Sequence, residues 1–112
     1  MSSLRRATEK MKDPIAESKI NMRSPTGDSK TIHVEIGRPY PISSDEAACP
    51  IAMTGLYPNI SDLHGTDTLN ALALALEFVR LTIHSWEKKG FTFEFPKGGP
   101  LPAEIWFEEK KE

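Results

Sequence analysis

The stretch Gly65-Thr66-Asp67-Thr68-Leu69-Asn70-Ala71-Leu72-Ala73-Leu74-Ala75-Leu76-Glu77-Phe78-Val79-Arg80-Leu81-Thr82-Ile83-His84-Ser85-Trp86-Glu87-Lys88-Lys89-Gly90 decides the fold. It holds a helical period without interruption. Thr66 or Asp67 caps its start, Lys88 and Lys89 suit the negative end of the helix dipole, and Gly90 supplies a left-handed stop. The spacing therefore predicts one long helix, Asp67 to Lys89. Leu69, Leu72, Leu76, Val79, Ile83 and Trp86 step by three and four and form the expected core stripe. Leu74, Phe78 and Leu81 form a second apolar set on another side of the cylinder, which leaves Asn70, Glu77, Arg80, His84 and Glu87 a polar arc of roughly a third of the circumference. One small sheet does not need that much apolar helix. Either the C-terminal segment covers the second stripe or another subunit does.

Upstream of the helix the period falls to two. Ile20 and Met22 mark one face of a strand from Ile15 to about Ser24, and Pro25-Thr26-Gly27-Asp28-Ser29 is turn chemistry. In the return strand Ile32, Val34 and Ile36 alternate with Thr31, His33 and Glu35, a buried face against a wet one. Gly37-Arg38-Pro39-Tyr40-Pro41 is read as a break, because proline cannot donate to a ladder, and Ser43 to Glu46 as a polar loop. A third strand is expected over Cys49–Leu56, with Cys49, Ile51 and Met53 on one face, and a short fourth over Ile60–His64. Sequential strands with short connections favour an antiparallel meander. After the helix, Phe91, Phe93 and Phe95 alternate with Thr92 and Glu94 as a strand able to return along the second stripe, and Ile105, Trp106 and Phe107 form a last apolar patch. The expected architecture is α+β: an antiparallel β-meander of four to six strands packed against one long helix in the C-terminal half. Residues 1–13 read as a flexible or short helical arm, 14–108 as the single domain, and 109–112 as a charged tail.

Composition narrows the classes of function. The chain has 112 residues, 38% of them apolar and 27% charged, with a formal charge of -2. That is enough for one core and not two. The longest apolar run, Ala71 to Leu76, is far short of a membrane span, and Arg5 and Arg6 are followed by charges rather than by an apolar leader. A single cysteine, Cys49, makes no internal disulfide, so a reducing, cytoplasmic home is expected. A pI near 5.9 argues against nucleic acid as the main partner.

Three segments carry a family resemblance: Ile36-Gly37-Arg38-Pro39, Cys49-Pro50-Ile51-Ala52-Met53-Thr54-Gly55-Leu56, and Gly65-Thr66-Asp67-Thr68-Leu69-Asn70-Ala71-Leu72 continuing to Leu76. Together they resemble a family of small bacterial proteins of unknown function, with I-G-x-P, C-P-x-x-I-x-G-L and G-x-D-x-x-Q-A-L-x-L-A-L motifs. Asn70 stands here in place of the family's glutamine and Met53 in place of its isoleucine. The resemblance covers about residues 30 to 85. It implies a sheet with one long helix and brings no activity or catalytic residue with it.

Candidate chemistry is sparse. Cys49 as a nucleophile needs a base or a positive field, and no local histidine supplies one, so it reads as a small buried hydrophobe. His64, Asp67 and either His33 or Cys49 could be drawn as a metal set, but the paired spacings of zinc sites are missing and Asp67 is accounted for as a cap. Gly65-Thr66-Asp67 before a helix resembles an anion-binding start, yet its aspartate repels phosphate. Glu94 lies among phenylalanines but faces away from them. No catalytic, cofactor or metal residue is assigned. The reading that remains is a non-catalytic protein-interaction module, an immunity-like inhibitor or a homodimeric accessory protein, with Leu74, Phe78 and Leu81 at the interface. Its alternative is a small-ligand-binding protein or modest enzyme with a pocket near Tyr40, Tyr57, His64 and Trp106.

Overall fold

The computed structural model describes Met11 and residues 13–99 and 102–108. The expected arm up to residue 10, with its arginines, and the tail from 109 lie outside the described residues. The elements in order are β1 (Pro14–Arg23), β2 (Ser29–Gly37), β3 (Tyr40–Ser43), β4 (Glu46–Thr54), β5 (Ser61–Gly65), α1 (Thr68–Glu87), β6 (Thr92–Glu94) and α2 (Pro102–Phe107). The six strands form one antiparallel sheet, curled as a half-barrel, against which α1 packs.

The hairpin β1–β2 forms where the alternation places it, with Ile20 opposite Ile32 and both fully buried. Asn21 to Arg23 also pair with Glu94 to Thr92, so β6 flanks β1 on the side away from β2. Ala48 pairs with both Tyr40 and His64, and Ile51 with both Ile36 and Ser61. Hence β2 and β3 lie end to end along one edge of β4, and β5 lies along the other. The break expected at Gly37 to Pro41 is confined to Arg38 and Pro39, after which the chain rejoins β4 as β3. Pro41 is tolerated there because a strand paired on one side has positions whose N–H would face solvent anyway. The third strand begins earlier than expected, at Glu46, and turns out at Gly55. The fourth is displaced by one residue.

The core has Ile20, Met22, Ile32, Val34, Ile36, Ile51 and Met53 of the sheet on one side. The helix meets them with Ala71, Ala75, Val79, Thr82 and Ile83. This corrects the leucine stripe: Val79 and Ile83 are buried, but Leu69 is 75% exposed and Leu76 43% exposed. The reason is close approach. Alanines one turn apart let the helix backbone sit low on the sheet, and the longer leucines then fall to the flank of the contact line rather than under it.

The ends of α1 are read correctly from sequence. Asp67 is the cap, its side chain accepting from Asn70 N at 2.7 Å, and Asn70 Oδ1 accepts in return from Thr66 N at 2.9 Å. This is a reciprocal lock of the capping-box kind, with asparagine as the returning residue. Gly90, at φ +95°, closes the turn after the helix, where Phe91 N donates to Trp86 O. From there the chain does not return along the second helical stripe. Phe93 instead pairs opposite Met22 and is 1% exposed, because the half-barrel offers β1 an edge with an apolar pocket on its inner side. The last apolar patch is the short helix α2, where Trp106 meets Phe95 edge-on at 5.9 Å between ring centroids. No described helix is long and apolar enough to cross a membrane.

Candidate functional site

Because the phenylalanine strand pairs with β1, the second stripe of α1 stays open among the described residues. Leu74 is 38% exposed and Leu81 52% exposed, seven residues apart on one flank of the helix. Phe78 lies between them, half-buried, with its ring 6.4 Å from that of Tyr57. Tyr57 comes from the β4–β5 loop and is 41% exposed, so the loop extends the apolar flank beyond the helix. The flank is bordered by charges that satisfy one another. Arg80 donates to Glu77, and that hydrogen bond holds the Glu77 carboxyl below its ordinary value of 4.5. His84 Nδ1 lies 3.1 Å from Glu87 Oε1.

The other residues singled out from sequence are scattered. Tyr40 donates to Asp62 Oδ2 at 2.8 Å, and His64 Nδ1 lies 2.8 Å from Glu46 Oε2, both on the outer face of the sheet. Tyr57 is beside α1, and Trp106 lies at the opposite, core-facing side with Phe95. The four named for a ligand pocket are thus set in three places. Asp67 is occupied as a cap. Glu94 is surface, 3.6 Å from Arg23 Nη2.

Cys49 is fully buried, its thiol donating weakly to Gly37 O at 3.5 Å. Burial, followed by the nearby charge of Asp62, pushes its pKa up to about 11. A thiol in that state is a packing group and not a nucleophile at neutral pH.

One cluster escaped the sequence reading. His33 Nε2 lies 2.7 Å from Glu17 Oε1 and its Nδ1 lies 3.7 Å from Glu35 Oε1. The three offer ligand atoms within 4.8 Å of one another, a carboxylate–imidazole–carboxylate set able to hold a divalent cation. The signal was hidden in the register: Glu17 stands directly opposite Glu35 across β1 and β2, and only the hairpin alignment shows it. Like charges so paired repel, and the imidazole bridging them is sufficient explanation of the geometry. The set drawn from sequence shares only His33 with it.

A cavity of about 160 Å³ lies between the β1–β2 hairpin and the middle of α1, with α2 closing one side through Trp106. Ala16, Ser18, Val34, Leu76, Val79 and Trp106 line it, almost wholly with apolar atoms.

No family model, curated protein or solved structure is found to match this chain. Several residues of the segments 36–39, 49–56 and 65–76 have local explanations here. Gly65 lets the helix start approach closely, Asp67 and Asn70 lock it, and Gly37 sits 3.0 Å from Pro50 at its Cβ position.

Proposed function

We propose that this protein is a non-catalytic protein-interaction module whose contact face is the α1 flank of Leu74, Phe78 and Leu81 together with Tyr57. The observation that carries the reading is the exposure of those two leucines beside an aromatic pair, on a helix whose adjoining side already has its core. A contiguous apolar patch of this kind, rimmed by self-satisfied charges, is the usual mark of a protein contact. The partner is a second copy, making a homodimer, or another protein that the module inhibits or assists in the manner of an immunity protein.

Light scattering over a concentration series, for wild type and Leu81→Glu, tests this. Leu81 is the better handle because Phe78 also supports the fold. A wild-type dimer reduced to a folded monomer supports self-association. A wild-type monomer directs the search to a heterologous partner, and the flank reading fails if Leu81→Glu leaves that partner's binding unchanged.

The cavity favours a second reading, a small apolar ligand held between Val34, Leu76, Val79 and Trp106, of which only Trp106 belongs to the pocket expected from sequence. Its volume is close to that of an engineered cavity of about 150 Å³ that binds benzene. A rise in thermal midpoint with saturating benzene, abolished in Ser18→Phe, is the result this reading requires.

A further inference from the structure

The edge of β1 opposite β2 is paired only at its C-terminal end. Among the described residues, β6 covers Asn21 to Arg23, and no strand pairs on that side from Pro14 to Ile20. Ile15 is 45% exposed, and Ala16, Glu17 and Lys19 are exposed too. The chain's own ladder stops for a chemical reason. In the line of β6, Phe95 comes next to Ile20 and Pro96 next to Lys19, and proline has no N–H to give. The chain turns instead, with Gly98 N donating to Phe95 O at 2.8 Å, and leads into α2.

Beneath that bare edge lies the apolar cavity, with Ala16 and Ser18 of β1 at its rim and Leu76, Val79 and Trp106 as its walls. We infer that β1 is a docking edge for an extended peptide of another protein, which continues the line of β6 antiparallel to β1 and drops one aromatic side chain into this cavity. Strand addition of this type draws affinity from main-chain hydrogen bonds and specificity from a pocket for alternate side chains. The established β6 ladder sets the register: Phe93 faces the core opposite Met22 and Phe95 continues that line beside Ile20, so the peptide begins beyond Phe95 and its residue opposite Ser18 faces the core as well. The short Ser18 leaves room, and a phenyl ring matches the volume.

The outer face adds charge. The peptide residue opposite Lys19 is acidic and the one opposite Glu17 is basic, since opposite charges directly across a ladder attract and like charges repel. Antiparallel running puts the acidic residue first. The recognised segment is therefore an acidic–aromatic–basic triplet in a proline-free strand. This site is separate from the α1 flank and does not rest on it.

The probe is an acetylated, amidated peptide Glu-Phe-Lys-Thr-Ser, which starts opposite Lys19 and so clears Phe95, titrated into the whole protein by fluorescence anisotropy and followed by amide exchange. Protection gained by amides between Ala16 and Lys19 is expected. Binding should weaken at least about tenfold for the charge-reversed Lys-Phe-Glu-Thr-Ser, and about tenfold for Ser18→Phe, which fills the cavity from the rim. A peptide N-methylated at its central three residues should not bind, a control that leaves the protein untouched. No binding at millimolar peptide overturns the inference. So does binding that protects the Leu74–Leu81 side instead, which would leave the flank reading standing. Protection of β1 that rises with protein concentration in the absence of peptide overturns it in favour of a second copy.

Discussion

Replacing Gly65 with alanine tests whether the start of α1 is as tightly seated as its geometry states. An added Cβ would stand 2.5 Å from Asn70 Oδ1, 2.7 Å from Ala71 N and 3.0 Å from Asn70 C. Two of these atoms belong to the helix backbone, so a side-chain rotation cannot relieve all three. Displacing Asn70 alone gives up its hydrogen bond from Thr66 N, worth about 1 kcal/mol. Moving the first helical turn off β5 adds roughly 1 to 3 kcal/mol of overpacking strain. Against this stands about 0.4 to 1 kcal/mol gained from a stiffer unfolded chain. The net expectation is a loss of about 2 kcal/mol, or roughly 10 °C in thermal midpoint for a domain of this size. Urea unfolding should show the midpoint falling with an unchanged slope. Gly98→Ala is the comparison: its Cβ meets open space, and only the φ of +80° resists it, for about 1 kcal/mol. A Gly65→Ala protein within about 0.5 kcal/mol of wild type would refute the close approach and the account of this glycine built on it.

Asp67→Ala removes the helix cap and should lower stability by about 1 kcal/mol in the same assay, with Asp67→Asn recovering most of it. Cys49 should resist a thiol reagent at pH 8 in the folded protein and react at once in denaturant. Its folded pKa of about 11 lies above its ordinary 9.0, so its contribution to stability is complete below pH 9 and is lost as pH rises from there toward 11. The two-unit gap corresponds to roughly 2 to 3 kcal/mol, which Cys49→Ala should remove from the alkaline limb of the pH–stability curve. Leu81→Glu should change the stability of the monomer by less than about 0.5 kcal/mol, whereas Phe78→Glu should cost about 2 kcal/mol or more because Phe78 is partly buried against the core cluster. Equal costs in chemical denaturation would contradict the assignment of Phe78 to both fold and face.

The candidate face was legible where it depended on period alone. Leu74, Phe78 and Leu81 are too many apolar side chains for one sheet to use, and two of them are exposed in the structure. The β1 edge that no described strand pairs, and the cavity beneath it, were not legible. Both follow from where Phe91 to Phe95 pairs, and an alternating strand carries no mark of its neighbour. The glutamate pair around His33 was hidden for the same reason, since Glu17 and Glu35 meet only through the hairpin register.

Local chemistry in the chain determined the helix from its cap to its glycine, the hairpin with its turn, and the alternation that buries Ile32, Val34 and Ile36. Those signals act over a few residues: a cap satisfies adjacent amides, and a period of two sorts side chains between faces whatever lies opposite. Tertiary structure alone decided that Ala71 and Ala75 rather than Leu69 and Leu76 meet the sheet, because which side of a broadly apolar helix goes inward depends on how closely its backbone approaches. It also decided that β6 lies against β1, leaving the α1 flank and the β1 edge open among the described residues, since strand pairing is a choice among distant partners that only the assembled core can make.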